Sequence, residues 1–590
     1  MRPVALALCL FYAVHMIAAP TDVEVRHQQL NALIADLWEW HLQQAPVFAS
    51  IIGDKRYNDQ LPNISEKAIL ERDAKEKEFL KRFEAIDPTG LPHQDVLNRE
   101  LEIRDLKEDA EWVELKLWQM PVNQMHGIHI DMPQLVSVLS FQTVKDYDDY
   151  IARLNQMPRM FDDDIANMRK GMANGLMPPK FLLEKVVEQA NGIASQAPEQ
   201  TPFAQPFQKF PASFSEADKA RLKTAGLAAI KDKVLPAYAR FAAFVKDEYA
   251  PKGRTEVGVW SLPNGDAIYA YDVRHYTTTN KTPEEIHEIG LQQVAEIEKQ
   301  ELAIANRLGF NDLKSFRASV KANPQLHAQS REQILDLYRK YIDQMKPELP
   351  KLFGRLPKAD VVVMPVEPFR EKDASGAEYK TGTADGSRPG HVEVNTSDPQ
   401  KRMLITIEST AYHEGVPGHH LQLSIAQEVK DLPPFRQHGW YGAYGEGWAL
   451  YSERLGKEIG FYQDPYNDFG RLEDEMLRAI RLVVDTGLHY KHWTREQVVQ
   501  YFHDHSAMDE PTVQAETNRY IAWPSQALSY KMGQLKILEL RARAQQQLGG
   551  QFDIREFHDQ VIDSGALPLD VLEDQINLWI AQKKTMAKAQ

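Results

Sequence analysis

Apolar residues recur at helical spacing along most of this chain. Leu30, Leu33 and Leu37 are an example, three or four residues apart, as on one face of a helix. From Met403 almost to the end the pattern is again helical. The same spacing predicts helices over residues 25–44, 68–86, 146–172 and 217–249.

Two stretches depart from the helical pattern. Residues 196–214 contain four prolines and four phenylalanines, which predicts an ordered loop or a connection between lobes. Residues 361–395 begin with the β-branched run Val361-Val362-Val363 and end with an alternating segment, and we expect a small sheet there. The predicted fold is therefore a large, mainly α protein with a small β element.

The length of 590 residues exceeds what one compact core accommodates, so two or three domains or lobes are expected. We predict a signal peptide, an N-terminal helical lobe, a mixed region with the small sheet and a helical region that carries the candidate chemistry. These segments cover residues 1–18, 19–250, 251–400 and 401–590.

Composition and charge limit the classes of partner. The chain is 43% hydrophobic and 26% charged, which is ordinary for a globular protein. Its net charge is −15, and it contains no long run of Lys or Arg. Nucleic acid or an anionic membrane surface would require basic patches. We therefore expect neither nucleic-acid binding nor stable membrane insertion of the mature chain.

The N-terminus has the features of a signal peptide. Arg2 precedes an apolar run, and Ala18 and Ala19 offer small residues for cleavage. The run is too short to span a bilayer comfortably. The only cysteine, Cys9, lies in this segment, and the bulky Leu8 before it disfavours lipid attachment. An exported protein, periplasmic or secreted, is expected, and any metal must be held by His and carboxylate ligands.

The candidate chemistry centres on His413-Glu414-Gly415-Val416-Pro417-Gly418-His419-His420. A zinc peptidase site uses two His on one helical face, a Glu beside them as general base and a third ligand from elsewhere. The usual spacing puts the second His four residues after the first. This chain has Pro417 at that position.

A regular helix cannot bring the second histidine to the metal. His419 would lie roughly 120° around the helix from His413, and His420 would lie about 10 Å further along the axis. Pro417 removes a helical hydrogen bond, and Gly418 tolerates unusual backbone angles. We therefore predict a two-residue bulge at Pro417-Gly418, with His419 favoured over His420 as the second ligand.

The third ligand should be a carboxylate on a following helix. Glu446 lies 27 residues after His419 and between two glycines, which would let it approach a metal closely. Glu453 is the alternative, two turns further along the same face, although it is also spaced to pair with Lys457 on an exposed surface. The expected cofactor is one zinc ion held by His413, His419 and Glu446.

A second polar stripe follows at three- and four-residue spacing. It has two interpretations: a solvated face with an Arg481–Asp485 pair, or a cleft wall whose residues support the metal ligands. The stripe consists of Arg478, Arg481, Asp485, His489 and His492.

Over nearly all of its mature length the chain resembles a bacterial family known as domain of unknown function 885. The segments that carry the resemblance are 412–422, 446–451 and 481–489, together with Arg519-Tyr520 and the region around Tyr530. That family in turn resembles helical Glu-zincin peptidases such as thimet-type oligopeptidases and dipeptidyl peptidase III. The resemblance implies a two-lobed helical fold with a deep cleft and a zinc ion at its floor.

We therefore expect a zinc-dependent peptidase that acts on peptides, with Glu414 as the general base. Tyr530 and Arg519, and less directly Tyr520 or His489, are candidate donors to the oxyanion. The strand that ends at Asn395 is expected to pair with an extended substrate and to make Asn395 a substrate contact, with His489 as a second contact. The alternatives are a metal-dependent hydrolase of a non-peptide amide or ester and a non-catalytic exported binding protein.

Overall fold

The computed structural model is mainly α-helical, as the apolar spacing predicts. It describes residues 21–366, 371, 374–383 and 389–589, so the predicted signal peptide at 1–18 lies outside the described residues. Within these residues, no helix is both long enough and apolar enough to cross a membrane.

The N-terminal part of the chain is almost wholly helical. Its helices are α1 (Asp22–Gln44), α2 (Pro46–Ile51), α3 (Glu66–Glu84), α4 (His93–Glu114), α5 (Ile128–Val138), α6 (Val144–Asn174), α7 (Lys180–Ala194), α8 (Glu216–Ala229), α9 (Leu235–Phe244), α10 (Gly265–Thr277), α11 (Pro283–Arg307), α12 (Leu313–Ala322), α13 (Arg331–Met345) and α14 (Leu349–Leu352). The predicted helices over 25–44, 68–86 and 146–172 are confirmed as α1, α3 and α6. The one predicted over 217–249 is α8 and α9 with intervening and following π-helical turns.

A small sheet separates these helices from the C-terminal series. Its strands are β1 (Val361–Pro365), β2 (Ala377–Lys380) and β3 (Gly390–Val394). The helices that follow are α15 (Ile407–Glu414), α16 (His419–Glu428), α17 (Pro434–Gln437), α18 (Gly442–Glu458), α19 (Pro465–His489), α20 (Arg495–His505), α21 (Glu510–Ala522), α22 (Ser529–Leu548), α23 (Ile554–Ile562) and α24 (Leu569–Ala589).

The proline- and phenylalanine-rich stretch 196–214 is an ordered loop, as predicted. It forms short 3-10 turns, and Phe203, Phe207 and Phe214 are buried in the core formed by residues 61–250. Tyr150 of α6 donates a hydrogen bond to the Phe203 carbonyl oxygen at 3.1 Å. The loop is therefore part of the N-terminal core.

The strand order of the sheet is β1-β3-β2, with β3 parallel to β1 and antiparallel to β2. Both edges of β3 are thus occupied by neighbouring strands. The prediction that the strand ending at Asn395 pairs with an extended substrate is wrong for this reason. Of the three strands, β2 and β1 are the edge strands, and β2 packs on α15.

The C-terminal half contains the core that surrounds the candidate site. One apolar cluster joins the sheet to α13, α15, α16, α18, α22 and the last two helices. A second cluster is centred on α11 and α19. Leu97 and Leu101 of α4 also belong to the first cluster, so an early helix packs against the C-terminal core. The predicted domain boundaries stay a prediction.

A close helix contact in the C-terminal half joins α18 to α22 through two glycines. A Cβ atom on Gly447 would lie 2.4 Å from the Cα atom of Gly533, and one on Gly533 would lie 1.7 Å from the Ala443 carbonyl oxygen. Both distances are far inside van der Waals contact. These two positions therefore allow the helices to touch along their backbones, directly beside Glu446.

We predict that Gly533→Ala forces α18 and α22 apart and destabilises the protein by about 1–3 kcal/mol, the usual cost of overpacking. The midpoint of thermal unfolding should fall clearly. Gly192→Ala, in an exposed turn of α7 with no atom within 4 Å of the added Cβ, is the matched control and should leave the midpoint unchanged or raised. Equal midpoints for the two variants would contradict this account of the contact.

Candidate metal centre

The two predicted histidines meet because the helix that begins at Ile407 stops after Glu414. The segment Gly415–Gly418 follows, with a cis peptide before Pro417, and a new helix begins at His419. The imidazole centroids of His413 and His419 are 4.9 Å apart and their planes are nearly perpendicular, at 88°. The predicted interruption at Pro417-Gly418 is confirmed, although it is a break between two helices rather than a bulge within one.

Two features hold this break in place. The Pro417 carbonyl oxygen accepts hydrogen bonds from Trp448 Nε1 at 2.9 Å and Ser452 Oγ at 3.3 Å, both from α18. Gly418 sits against the end of the preceding helix, where a Cβ atom would lie 1.9 Å from the His413 carbonyl oxygen. Only glycine permits this close approach, so the turn that returns His419 requires it.

Glu446 brings the third donor atom to the pair of histidines. Its Oε2 atom lies 3.6 Å from His413 Nε2 and 3.4 Å from His419 Nε2. The three candidate donors all lie within 4.8 Å of one another. A tetrahedral zinc ion with bonds of about 2.0–2.1 Å has ligands about 3.3–3.4 Å apart. The donor types and the two measured separations therefore fit a zinc site.

The carboxylate of Glu453 orients His413. Glu453 is 2% exposed, and its Oε1 atom accepts a hydrogen bond from His413 Nδ1 at 2.8 Å. This bond fixes the tautomer that leaves Nε2 free to face Glu446, an arrangement common behind metal-bound histidines. Glu453 is thus a support for His413 and not a member of the donor triplet. Lys457, its suggested surface partner, pairs instead with Asp468.

The carboxylates also set the charge of the site. Burial lowers the pKa of His413, but Glu446 and Glu453 outweigh burial and raise it to about 10. Burial raises the pKa of Glu446, yet the two histidines hold it well below its usual range. Metal ions bind neutral imidazole, so loading this site would release the proton held on His413.

His420 points away from the three donors. Its Nδ1 accepts a hydrogen bond from the Tyr379 hydroxyl at 3.0 Å, and its Nε2 donates to the Ala359 carbonyl oxygen at 3.0 Å. Both nitrogens are therefore used to fasten α16 to β2 and to the chain before β1. This leaves His419 as the second histidine that faces His413.

Glu414 lies beside the triplet without joining it. The residue is 9% exposed, and its carboxylate has no hydrogen bond among the described residues. Burial raises its pKa, an effect that His413 and His419 partly oppose. A carboxylate with a raised pKa and free oxygens is suited to accept a proton from water near neutral pH.

Tyr530 and Arg519 both reach this neighbourhood. The Tyr530 ring is stacked 6.3 Å from the His413 ring, at an interplanar angle of 23°. Arg519 Nη2 donates to the Tyr530 hydroxyl at 3.3 Å and to Gln526 Oε1 at 2.7 Å. The phenol therefore lies next to the candidate centre with a guanidinium at its hydroxyl end.

Three other predicted contacts are not brought to the centre. His489 is 2% exposed, and burial lowers its pKa to about 3. Its Nδ1 accepts a hydrogen bond from the Val259 amide, and its Nε2 donates to the Tyr520 carbonyl oxygen. Asn395 is also 2% exposed, and its amide group is bonded to the carbonyl oxygens of Glu371 and Ala374. The hydroxyl of Tyr520 donates to Glu516 and accepts from Arg481. All three side chains are occupied within the fold, which corrects their predicted roles.

The polar stripe on α19 is not a solvated face, because Arg481 and Asp485 are 3% and 0% exposed. Arg478 Nη2 lies 3.7 Å from Glu453 Oε1, so it supports the partner of His413. The predicted Arg481–Asp485 pair is wrong. Arg481 pairs with Glu516 at 2.9 Å, while Asp485 accepts from the Tyr269 hydroxyl and the Ser525 amide.

Trp440 is a feature that motif spacing did not reveal. Its side chain is 48% exposed, and its ring lies 5.8 Å from the His419 ring. A Cβ atom on Gly445 would lie 2.1 Å from Trp440 Cη2, so this glycine makes room for the indole. The glycine before Glu446 therefore accommodates an exposed aromatic side chain at the edge of the centre.

The fold and the site define a mainly helical protein with two histidines and one glutamate in a candidate metal centre. The family model described as bacterial protein of unknown function (DUF885) matches residues 46–576, and the chain belongs to that family. No match is found among curated proteins.

Two solved structures share this fold. One is described as the crystal structure of the putative lipoprotein from Colwellia psychrerythraea. It is 30% identical, with a TM-score of 0.90, over 94% of this chain and 100% of that chain. The other, described as a putative lipoprotein of unknown function from Shewanella oneidensis, is 19% identical with a TM-score of 0.70, over 93% and 99% of the two chains.

We predict that His419→Ala weakens zinc binding by at least about 100-fold, because it removes one of three donors, whereas His420→Ala leaves the affinity within a few fold. Competition titration against a chromophoric chelator measures both. Each variant removes one imidazole from the same turn of α16, so each is the control for the other. Loss of zinc in His420→Ala with retention in His419→Ala would reverse the assignment.

Proposed function

We propose that this protein is a zinc-dependent peptidase. The observation that carries the proposal is the convergence of His413 Nε2, His419 Nε2 and Glu446 Oε2 at separations that fit a tetrahedral site, with the Glu414 carboxylate beside them. A zinc ion in such a site supplies Lewis acidity, which makes water a nucleophile near neutral pH.

Glu414 is the general base in this proposal. Its oxygens are not engaged by other described residues, and burial holds its pKa above the usual value. It takes a proton from the attacking water and passes it to the leaving amine. Glu453 and Arg478 contribute by holding His413 in one orientation.

Tyr530 is the proposed donor to the oxyanion. Its hydroxyl belongs to a ring stacked on His413, and Arg519 donates to that hydroxyl, which leaves the phenolic proton free to point toward substrate. Removal of one preorganised donor of this kind from other enzymes slows the reaction by about 10²–10³-fold.

A peptide is the favoured substrate because of the sheet. The edge strand β2 packs on α15, which carries His413 and Glu414. Extended peptides bind proteins along sheet edges, and in this proposal the substrate backbone lies along the sheet. A compact amide or ester gains nothing from such an edge.

We also propose that the protein is exported, to the periplasm or beyond the cell. Two observations support this: the signal-like segment 1–18 and the descriptions of both solved relatives as putative lipoproteins.

The direct test is Glu414→Gln, which keeps the shape of the side chain and removes its basicity. We expect bound zinc to stay near one ion per chain and peptide cleavage to fall by about 10²–10⁴, the usual contribution of a general base. Metal analysis and mass spectrometry of a digested peptide mixture provide the two readouts.

Glu428→Gln makes the same change on α16, where the carboxylate only accepts from the Lys358 and Ala359 amides, and it should cleave like the parent protein. Unchanged cleavage in Glu414→Gln would contradict the role of Glu414. Cleavage of small amides or esters but of no peptide would favour a non-peptide hydrolase, and absence of bound metal would favour a binding protein.

A further inference from the structure

Three arginines surround the Tyr530 ring. Their guanidinium carbons lie 5.8 Å (Arg478), 4.6 Å (Arg481) and 6.0 Å (Arg519) from the centre of the Tyr530 ring. The first two lie one turn apart on α19, and the third comes from α21. The same ring is stacked on His413, so this guanidinium cluster lies next to the candidate metal centre.

The carboxylates close to the cluster are unevenly distributed among the three arginines. Arg478 faces Asp474 at 3.3 Å and Glu453 at 3.7 Å. Arg481 and Arg519 share the single carboxylate of Glu516, at 2.9 Å and 3.6 Å. Their other hydrogen bonds go to neutral groups, the hydroxyls of Tyr520 and Tyr530 and the amide of Gln526. Among the described residues, two buried cations therefore share one anion.

Some of the guanidinium nitrogens also lack partners. Arg481 is 3% exposed, yet its Nη1 has no hydrogen bond among the described residues, and neither has the buried Nε of Arg519. A buried donor on a charged group is costly to leave unpaired. The Arg519 side chain is 19% exposed, so the cluster reaches solvent at that residue. An anion that enters there would satisfy both the charge and the free donors.

We propose that Arg481 and Arg519 bind a carboxylate of the substrate, so that the enzyme prefers peptides with a free C-terminus or an acidic side chain close to the scissile bond. This inference rests on the proposed peptidase function. Guanidinium groups pair with carboxylates through parallel hydrogen bonds, and buried pairs of this type give specificity as well as affinity. An extended chain advances about 3.3–3.6 Å per residue, so a short peptide that reacts at the centre reaches the arginines around Tyr530.

The test measures peptide binding, not turnover. The zinc-loaded Glu414→Gln protein is titrated by calorimetry with a short peptide carrying a free C-terminal carboxylate and with the same peptide as its C-terminal amide. A second pair, both amidated, differs only by Asp or Asn near the C-terminus. We expect the carboxylate form of at least one pair to bind about tenfold or more tightly, the value of a charge-assisted contact.

Arg519→Gln, added to that protein, should abolish the preference, since it removes the guanidinium at the solvent side. The double variant Arg481→Gln, Glu516→Gln removes the buried guanidinium together with the carboxylate that pairs with it, so the net charge of the cluster is unchanged. Arg454→Gln removes one exposed charge on α18, away from Tyr530, and should keep the preference. Circular dichroism confirms that each variant is folded.

A preference within the first pair assigns the site to the C-terminal carboxylate, and one within the second pair assigns it to an acidic side chain. Equal or undetectable binding within both pairs overturns the inference, as does a preference that persists in folded Arg519→Gln and in the double variant. If the parent protein cleaves no peptide but the preference is present, the proposed activity fails while the carboxylate site stands. If it cleaves peptides without the preference, the activity stands while the carboxylate site fails.

Discussion

The candidate centre depends above all on how the chain is held between Glu414 and His419. Trp448 and Ser452 donate to one backbone oxygen, that of Pro417, and thereby fix the break between α15 and α16. Both donors lie on α18, between Glu446 and Glu453. The helix that fastens the break therefore also supplies the third donor and the carboxylate that orients His413. The position of α18 therefore determines the break, the third donor and the support of His413 together.

The residues around the candidate centre also depend on the position of α18. The backbone contact between Gly447 and Gly533 sets the position of α18 against α22, and α22 carries Tyr530. Tyr530 is stacked on His413 and is surrounded by the arginines of α19 and α21. The packing of these helices thus places the metal donors, the candidate oxyanion donor and the guanidinium cluster next to one another.

Much of the fold and of the donor set could be predicted from the sequence because both depend on local patterns. Apolar spacing located the helices, and the length of the insertion at Pro417-Gly418 showed that a regular helix could not serve both histidines. Glu446 and Glu453 share one face of α18, about 10 Å apart along its axis. Spacing alone therefore allows either glutamate to be the third ligand. The packing of α15 against α18 distinguishes them, because it brings Glu446 to both histidines and Glu453 to His413 Nδ1.

The predictions that failed depended on tertiary contacts. The order of the strands placed β3 in the centre of the sheet, although its own residues are equally suited to an edge. His489 lies in a stripe with Arg478 and Arg481, but Val259 and Tyr520 occupy both of its nitrogens. Trp440 and the charge imbalance at Glu516 carry no periodic signal, since each arises where separate helices meet.

Crystallographic measurement of anomalous scattering at the zinc absorption edge tests the central claim most directly. The account predicts one strong peak per chain, bounded by His413 Nε2, His419 Nε2 and a Glu446 carboxylate oxygen at about 2.0–2.2 Å. A peak at His420 or at another set of residues would contradict it. So would a zinc-soaked crystal without a peak between these three side chains.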